Sequence, residues 1–211
     1  MYLPLGRMYV LSKTRVFPQE GAREGHDIFE TANIAQALTS IEQKRYKEAV
    51  KYLEKAKEFP ENLGVGKPYD PDYRILDYLL AYCANETGNE KKSLQYYDNI
   101  TDFSSNPERF FTVRNINSNY ITYMVLKNLG KGKEATKLIE GWKNYQDSLY
   151  IWHISDTRIS PQMEWVLAKC DNYSVDTEVL EKKIIGTGME SQFTLFLRAL
   201  ELVEDKRKHN E

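Results

Sequence analysis

The sequence predicts an all-α chain in which three to four divergent helical hairpins stack as a solenoid and a C-terminal helix caps the stack. Three observations carry this expectation. A fixed apolar spacing recurs along the chain. Proline-bearing helix starts recur beside it, and glycine-bearing turns fall between the helices of the second and third pairs.

The spacing places a small residue near the start of a helix, a larger apolar residue four places on, and another apolar residue three places after that. It reads Ala49, Leu53, Ala56, then Ser93, Tyr97, Ile100, then Ala135, Ile139, Trp142. The copies are 44 and 42 residues apart (93 − 49 and 135 − 93). Twelve residues before each lead position stand Ala37, Ala81 and Tyr123 on the preceding helix. Small residues at such positions let two helices approach closely, and the later positions lie on one stripe of the second helix.

Helix boundaries follow in order. Asp70-Pro71-Asp72 predicts a capped start for a helix over 73–87, with Gly88 as its stop. Asn106-Pro107-Glu108 repeats the device ahead of a helix running towards Leu129, with Gly130 after it. Ser160-Pro161-Gln162 starts a short helix through Met163, Trp165, Val166 and Leu167. A helix over 177–185 comes next. The last helix carries Met189, Phe193, Phe196, Leu200 and Val203 on one stripe, and is expected to pack on the preceding hairpin. The domain expectation is an irregular segment over 1–24, a repeat domain over 25–205 and a charged tail over 206–211.

This pattern resembles the tetratricopeptide repeat, which pairs a Leu-Gly-x-x-Tyr-like first helix with an Ala-x-x-x-Phe-x-x-Ala-like second helix. The family repeat is nearer ~34 residues, so this chain inserts extra residues between hairpins. Its first helices match less closely than its second helices. Two further segments, 21–33 and 59–72, are similar to the C-terminal tetratricopeptide region of large bacterial proteins whose N-terminal part is a domain of unknown function, one often linked to carbohydrate metabolism. That similarity covers about residues 14 to 100. It implies that the chain is a stand-alone tail of such a protein, and it carries over no catalytic residue.

Composition agrees with an ordinary globular protein. The 211 residues hold 31 acidic and 29 basic side chains, so no strong field favours nucleic acid or a membrane surface. The 15 tyrosines fit the packing seams of helical repeats, where aromatic rings bury large areas. Cys83 and Cys170 stand alone within helical stretches and read as small buried thiols. The first residues interrupt any apolar run with Pro4, Gly6 and Arg7, so no signal peptide is expected. A soluble chain follows, with the cytoplasm favoured.

Motifs that carry chemistry are few. Gly64-Val-Gly-Lys67 has Glu61 where a phosphate loop needs its first glycine and Pro68 where it needs a hydroxyl, so it reads as an inter-repeat loop. His26 and Glu30 share a helix face, with Glu20 and Glu24 nearby, and read as capping or ion-pair residues rather than a zinc site. His153 and Asp156 lack a nucleophile beside them. Lys206-Arg207-Lys208 is too short for more than a solvated tail. No catalytic, cofactor-binding or metal-binding residue is therefore assigned.

The remaining expectation is a concave groove lined by first helices. In the repeat register its inward residues are Tyr78, Tyr82 and Asn85, then Asn117, Tyr120, Met124, Lys127 and Asn128. Tyrosine, amide and lysine side chains together can stack on and hydrogen-bond an extended peptide. The mix differs from a Lys/Asn/Arg carboxylate clamp. A protein or peptide partner is thus expected, with no cofactor, nucleic acid or membrane. The alternative is an accessory helical domain of a carbohydrate-related protein. A long groove favours peptide, and an exposed aromatic platform favours glycan.

Overall fold

The computed structural model describes residues 22–105, 116–151, 161–171, 176–185 and 190–208, and these form helices and their connections with no strand among them. The helices are α1 (Ala22–Glu42), α2 (Tyr46–Ala56), α3 (Arg74–Glu86), α4 (Glu90–Ser105), α5 (Ser118–Asn128), α6 (Gly132–Ile151), α7 (Pro161–Asp171), α8 (Thr177–Ile184) and α9 (Glu190–Lys208). A 3₁₀ turn, Glu61–Leu63, sits in the connection from α2 to α3. The starts expected at Asn106-Pro107 and Ser160, the residues Glu20, His153, Asp156 and Met189, and nearly all of the expected N-terminal segment lie outside the described residues. No described helix is long and apolar enough to cross a membrane.

The chain divides into two compact units. The first holds α1–α3, the start of α4 up to Tyr96, and α9 from Ser191; the second holds the rest of α4 and α5–α8. Within the first unit α1 packs along α2, and α2 packs on α3. Within the second, α5 pairs with α6, α7 pairs with α8, and α5 also meets α7.

Three hairpin turns use one backbone device. Gly88 and Gly130 adopt left-handed conformations at φ 74° and 72°, after the last turn of α3 and α5. In each, the glycine N–H and the next N–H close back onto the helix end: Gly88 to Asn85 and Asn89 to Ala84, Gly130 to Lys127 and Lys131 to Leu126. This closure satisfies carbonyls that would otherwise be orphaned. Lys44 does the same after α1, at φ 58°, with its own N–H on Ile41 and the Arg45 N–H on Ser40. Lys44, Gly88 and Gly130 stand 44 and 42 residues apart (88 − 44 and 130 − 88), the interval read from the side chains. A Cβ in this region is strained, so Lys44→Gly is expected to raise stability by about 0.5–1 kcal/mol once unfolded-state entropy is offset. The urea midpoint reads this directly, and a fall in midpoint would show that the lysine is not strained.

The repeated side chains are buried as the spacing predicts. Ala37, Ala49, Leu53, Ala56, Ala81 and Ser93 are buried in the first unit; Tyr97, Ile100, Ala135, Ile139 and Trp142 are buried in the second. Tyr123 is half-buried. Both cysteines are buried free thiols.

Two expectations are corrected. The helix after Asp70-Pro71-Asp72 starts at Arg74, one residue late, because Asp72 works from outside the helix. Its carboxylate takes the Arg74 backbone N–H at 3.0 Å and grips the Arg74 guanidinium at 2.7 Å, so Pro71 stays in the loop. The second correction concerns α9, which belongs with the first unit rather than with the hairpin before it. Arg198 reaches back across the chain to bond Glu42 of α1 at 2.6 Å. An apolar stripe specifies that a helix is buried, not which surface buries it.

Candidate functional site

The eight residues expected to line a groove separate by unit and by exposure. In the first unit Tyr78 is 1% exposed and Tyr82 is 6% exposed, and Asn85 is exposed. The two tyrosines therefore pack in the core and present no ring surface to a partner. Tyr82 meets Tyr46 of α2 edge-on at 6.2 Å. The reason is local: α3 is buried around most of its circumference, from Leu76 to Ala84, so it has no solvent-facing stripe of aromatics.

In the second unit Asn117, Tyr120 and Met124 are half-buried, and Lys127 and Asn128 are exposed at the end of α5. Tyr120 stands edge-on to Trp165 of α7, with ring centroids 5.4 Å apart, so its ring is used in packing. Trp165 in turn donates its indole N–H to Glu181 of α8 at 2.9 Å.

A different cluster, in the first unit, concentrates the chemistry. Lys57 follows α2 one step past Ala56 and lies four residues after Leu53, on the stripe that carries Ala49 and Leu53. A charged residue has entered an apolar track. Its ammonium bonds Asp77 of α3 at 2.6 Å, and the two side chains are only 19% and 8% exposed. The same ammonium lies over the Tyr73 ring at 5.4 Å and the Tyr96 ring at 5.5 Å. Lys67 also sits over Tyr73 at 5.7 Å, and Lys92 over Tyr96 at 5.7 Å. Lysine and tyrosine thus alternate in one run: Lys67, Tyr73, Lys57, Tyr96, Lys92. Cation–π attraction holds each step, at about 0.5–1 kcal/mol where solvent reaches it.

Hydrogen bonds fix both rings. The Tyr73 hydroxyl donates to the Lys57 carbonyl at 3.0 Å, and the Tyr96 hydroxyl donates to Glu54 at 3.2 Å. Lys67 and Lys92 at the ends of the run are exposed. Tyr69, two residues beyond Lys67, is fully exposed on the same loop.

Burial, with help from neighbouring acids, keeps these phenols protonated. Desolvation, then Glu30 and Asp77, push Tyr73 up to about 12. Desolvation and Glu54 push Tyr96 up to about 12. The Cys83 thiol rises from 9.0 to about 12 by desolvation, with Glu86 adding to it. All three folded values exceed the unfolded ones, so the folded state retains protons that the unfolded chain loses. Stability from these groups is intact below pH 9.0 and is lost as pH climbs towards 12. Urea midpoints measured across that window are expected to fall, with Cys83→Ala removing the earliest part of the decline; flat midpoints would contradict the burial of these groups.

The glycine loop behaves as a connection. Gly64 takes φ 68° to close the 3₁₀ turn, and Lys67 points over Tyr73. His26 is 7% exposed. Its ring stacks on Phe59 at 4.0 Å, and Nε2 lies 3.1 Å from the Glu58 carbonyl. Two signals in the sequence point to the Lys57 cluster: the lysine on the α2 stripe, and Asp77 inside the apolar run of α3. The convergence of Tyr73 and Tyr96 on them has no sequence signal, since residues 57 and 73 lie at the two ends of the α2–α3 connection, 77 lies on α3 and 96 lies on α4.

No protein-family model, curated protein or solved structure matches this chain.

Proposed function

We propose that the chain is a non-enzymatic binding module of tetratricopeptide-like hairpins that holds a peptide-like segment of a protein partner. The contact surface is the exposed border of the lysine–tyrosine run: Lys67, Tyr69, the half-buried Tyr73 and Lys92. The observation that carries this reading is Tyr69, a large aromatic ring fully exposed beside a lysine that is already aligned on a neighbouring ring. Rigid aromatic rings contribute contact area at low entropic cost, and flanking lysines add hydrogen-bond donors for backbone carbonyls or acidic side chains. Repetition of one left-handed turn at Lys44, Gly88 and Gly130 supports the hairpin-repeat reading.

Selection of a displayed random-peptide library on the immobilised protein tests the proposal. Enriched peptides are expected to bind the parent and to lose binding to Tyr69→Ala/Lys67→Ala at unchanged melting temperature. A library that yields no specific binder, or binders indifferent to both substitutions, refutes it. The second reading, a helical accessory domain that contacts glycan, draws on the same exposed ring. It is favoured if a glycan array gives Tyr69-dependent binding and the peptide library gives none.

A further inference from the structure

We propose that the outer face of α2 is an electrostatic docking surface for an acidic helical segment of a protein partner, one whose carboxylates stand four residues apart. The charge balance of the whole chain conceals a local excess there. Residues 44–55 hold five basic and two acidic side chains, a net of +3, in a chain whose net charge is −2. Lys47, Lys51 and Lys55 follow at four-residue steps and are exposed, as is Lys44 three residues ahead of them. Four residues advance about 6 Å along a helix and turn it little, so these three lysines share one face. Ala49, Leu53 and Ala56 occupy the buried face.

Among the described residues no carboxylate pairs with Lys44, Lys47, Lys51 or Lys55. Of the four, Lys55 has a ring contact, its ammonium lying over Phe29 at 5.9 Å. The nearest acids in sequence are engaged elsewhere. Glu48, three residues before Lys51, pairs with Arg45 at 2.7 Å. Glu54, three residues after Lys51, accepts the Tyr96 hydroxyl at 3.2 Å.

Two separate costs fall on these lysines. Like charges four residues apart repel along a helix, and Lys47, Lys51 and Lys55 make two such steps. Lys44 holds the left-handed conformation that glycine takes at 88 and 130, a backbone strain that side chains rarely carry. An anionic partner converts the repulsion into attraction. The flanking acids select its kind. Glu48 and Glu54 border the lysine row on its two sides, so a continuous polyanion such as nucleic acid would set phosphates against both. A helix with carboxylates at the same step of about 6 Å meets the lysines and keeps its own edges clear of them. The surface shares no residue with the lysine–tyrosine border, so either reading can fail without the other.

Fluorescence anisotropy of the full chain with a labelled alanine-based helical peptide, glutamate at every fourth position, tests the surface. A peptide of the same composition with its glutamates spread around the helix, and a single-stranded DNA oligonucleotide, serve as comparisons. The parent is expected to bind the first peptide about threefold or more tighter than the second, with affinity that falls as salt rises. Lys47→Gln/Lys51→Gln/Lys55→Gln is expected to weaken that binding by about tenfold or more. It should melt no lower than the parent, because repulsion along the row is relieved. Lys182→Gln/Lys183→Gln, which removes two exposed lysines of α8, is expected to bind as the parent does. No binding of the first peptide, equal binding of both peptides, tighter lysine-dependent binding of the DNA, or binding unchanged in the α2 variant overturns the proposal.

Discussion

Phe196→Ala is expected to lower stability by about 3–5 kcal/mol. Phe193, Phe196, Ala199, Leu200 and Val203 form a buried stripe on α9, and the rings of Phe193 and Phe196 stack at 6.2 Å. Truncation removes both the transfer free energy of the ring and the contacts that line the resulting cavity. The loss should appear as a lower denaturant midpoint and as weaker amide protection in α1, the helix whose Glu42 is held by Arg198. Arg198→Ala should cost under about 1 kcal/mol, because Glu42 is exposed and exposed ion pairs contribute little. An unchanged midpoint in Phe196→Ala would show that α9 does not contribute to this core.

The second large effect is expected at Lys57. Lys57→Met leaves the Asp77 carboxylate, 8% exposed, without its counter-charge, and should destabilise by about 3 kcal/mol. Adding Asp77→Leu should recover most of that loss, because a buried pair replaced by apolar groups of similar volume is often neutral. The double-mutant cycle thereby separates an unpaired charge from lost packing. If Lys57→Met is neutral, or if the double variant is worse than either single one, the pair is not the organising contact of the cluster.

The helices were readable because their signals are local. A small residue followed four and seven places later by apolar ones specifies a stripe, and Gly88 and Gly130 mark the stops that the left-handed conformation requires. Lys44 was unreadable as a turn residue, because lysine carries no preference for that conformation and is held there by the hydrogen bonds of Arg45 and Lys44 itself. Burial of whole stripes was also readable at Ala49, Leu53 and Ala56. Which side of α3 faces solvent was not. Tyr78 and Tyr82 occupy groove-facing positions in the repeat register, yet tyrosine suits both a core with a hydroxyl to spare and a wet surface. Placement of α9 brings together residues as far apart as 42 and 198, a separation beyond any periodicity. The Lys57 cluster has the same character, since its parts meet only through tertiary packing.

The most direct test compares one selected peptide against two variants of the first unit. Tyr69→Ala removes the exposed ring, and Tyr82→Phe removes only a hydroxyl from a buried one. Binding through the lysine–tyrosine border predicts that Tyr69→Ala weakens the peptide by about tenfold or more, the loss of a central aromatic contact, while Tyr82→Phe binds as the parent does. Full binding by Tyr69→Ala together with loss in Tyr82→Phe would contradict the account and return the contact surface to α3.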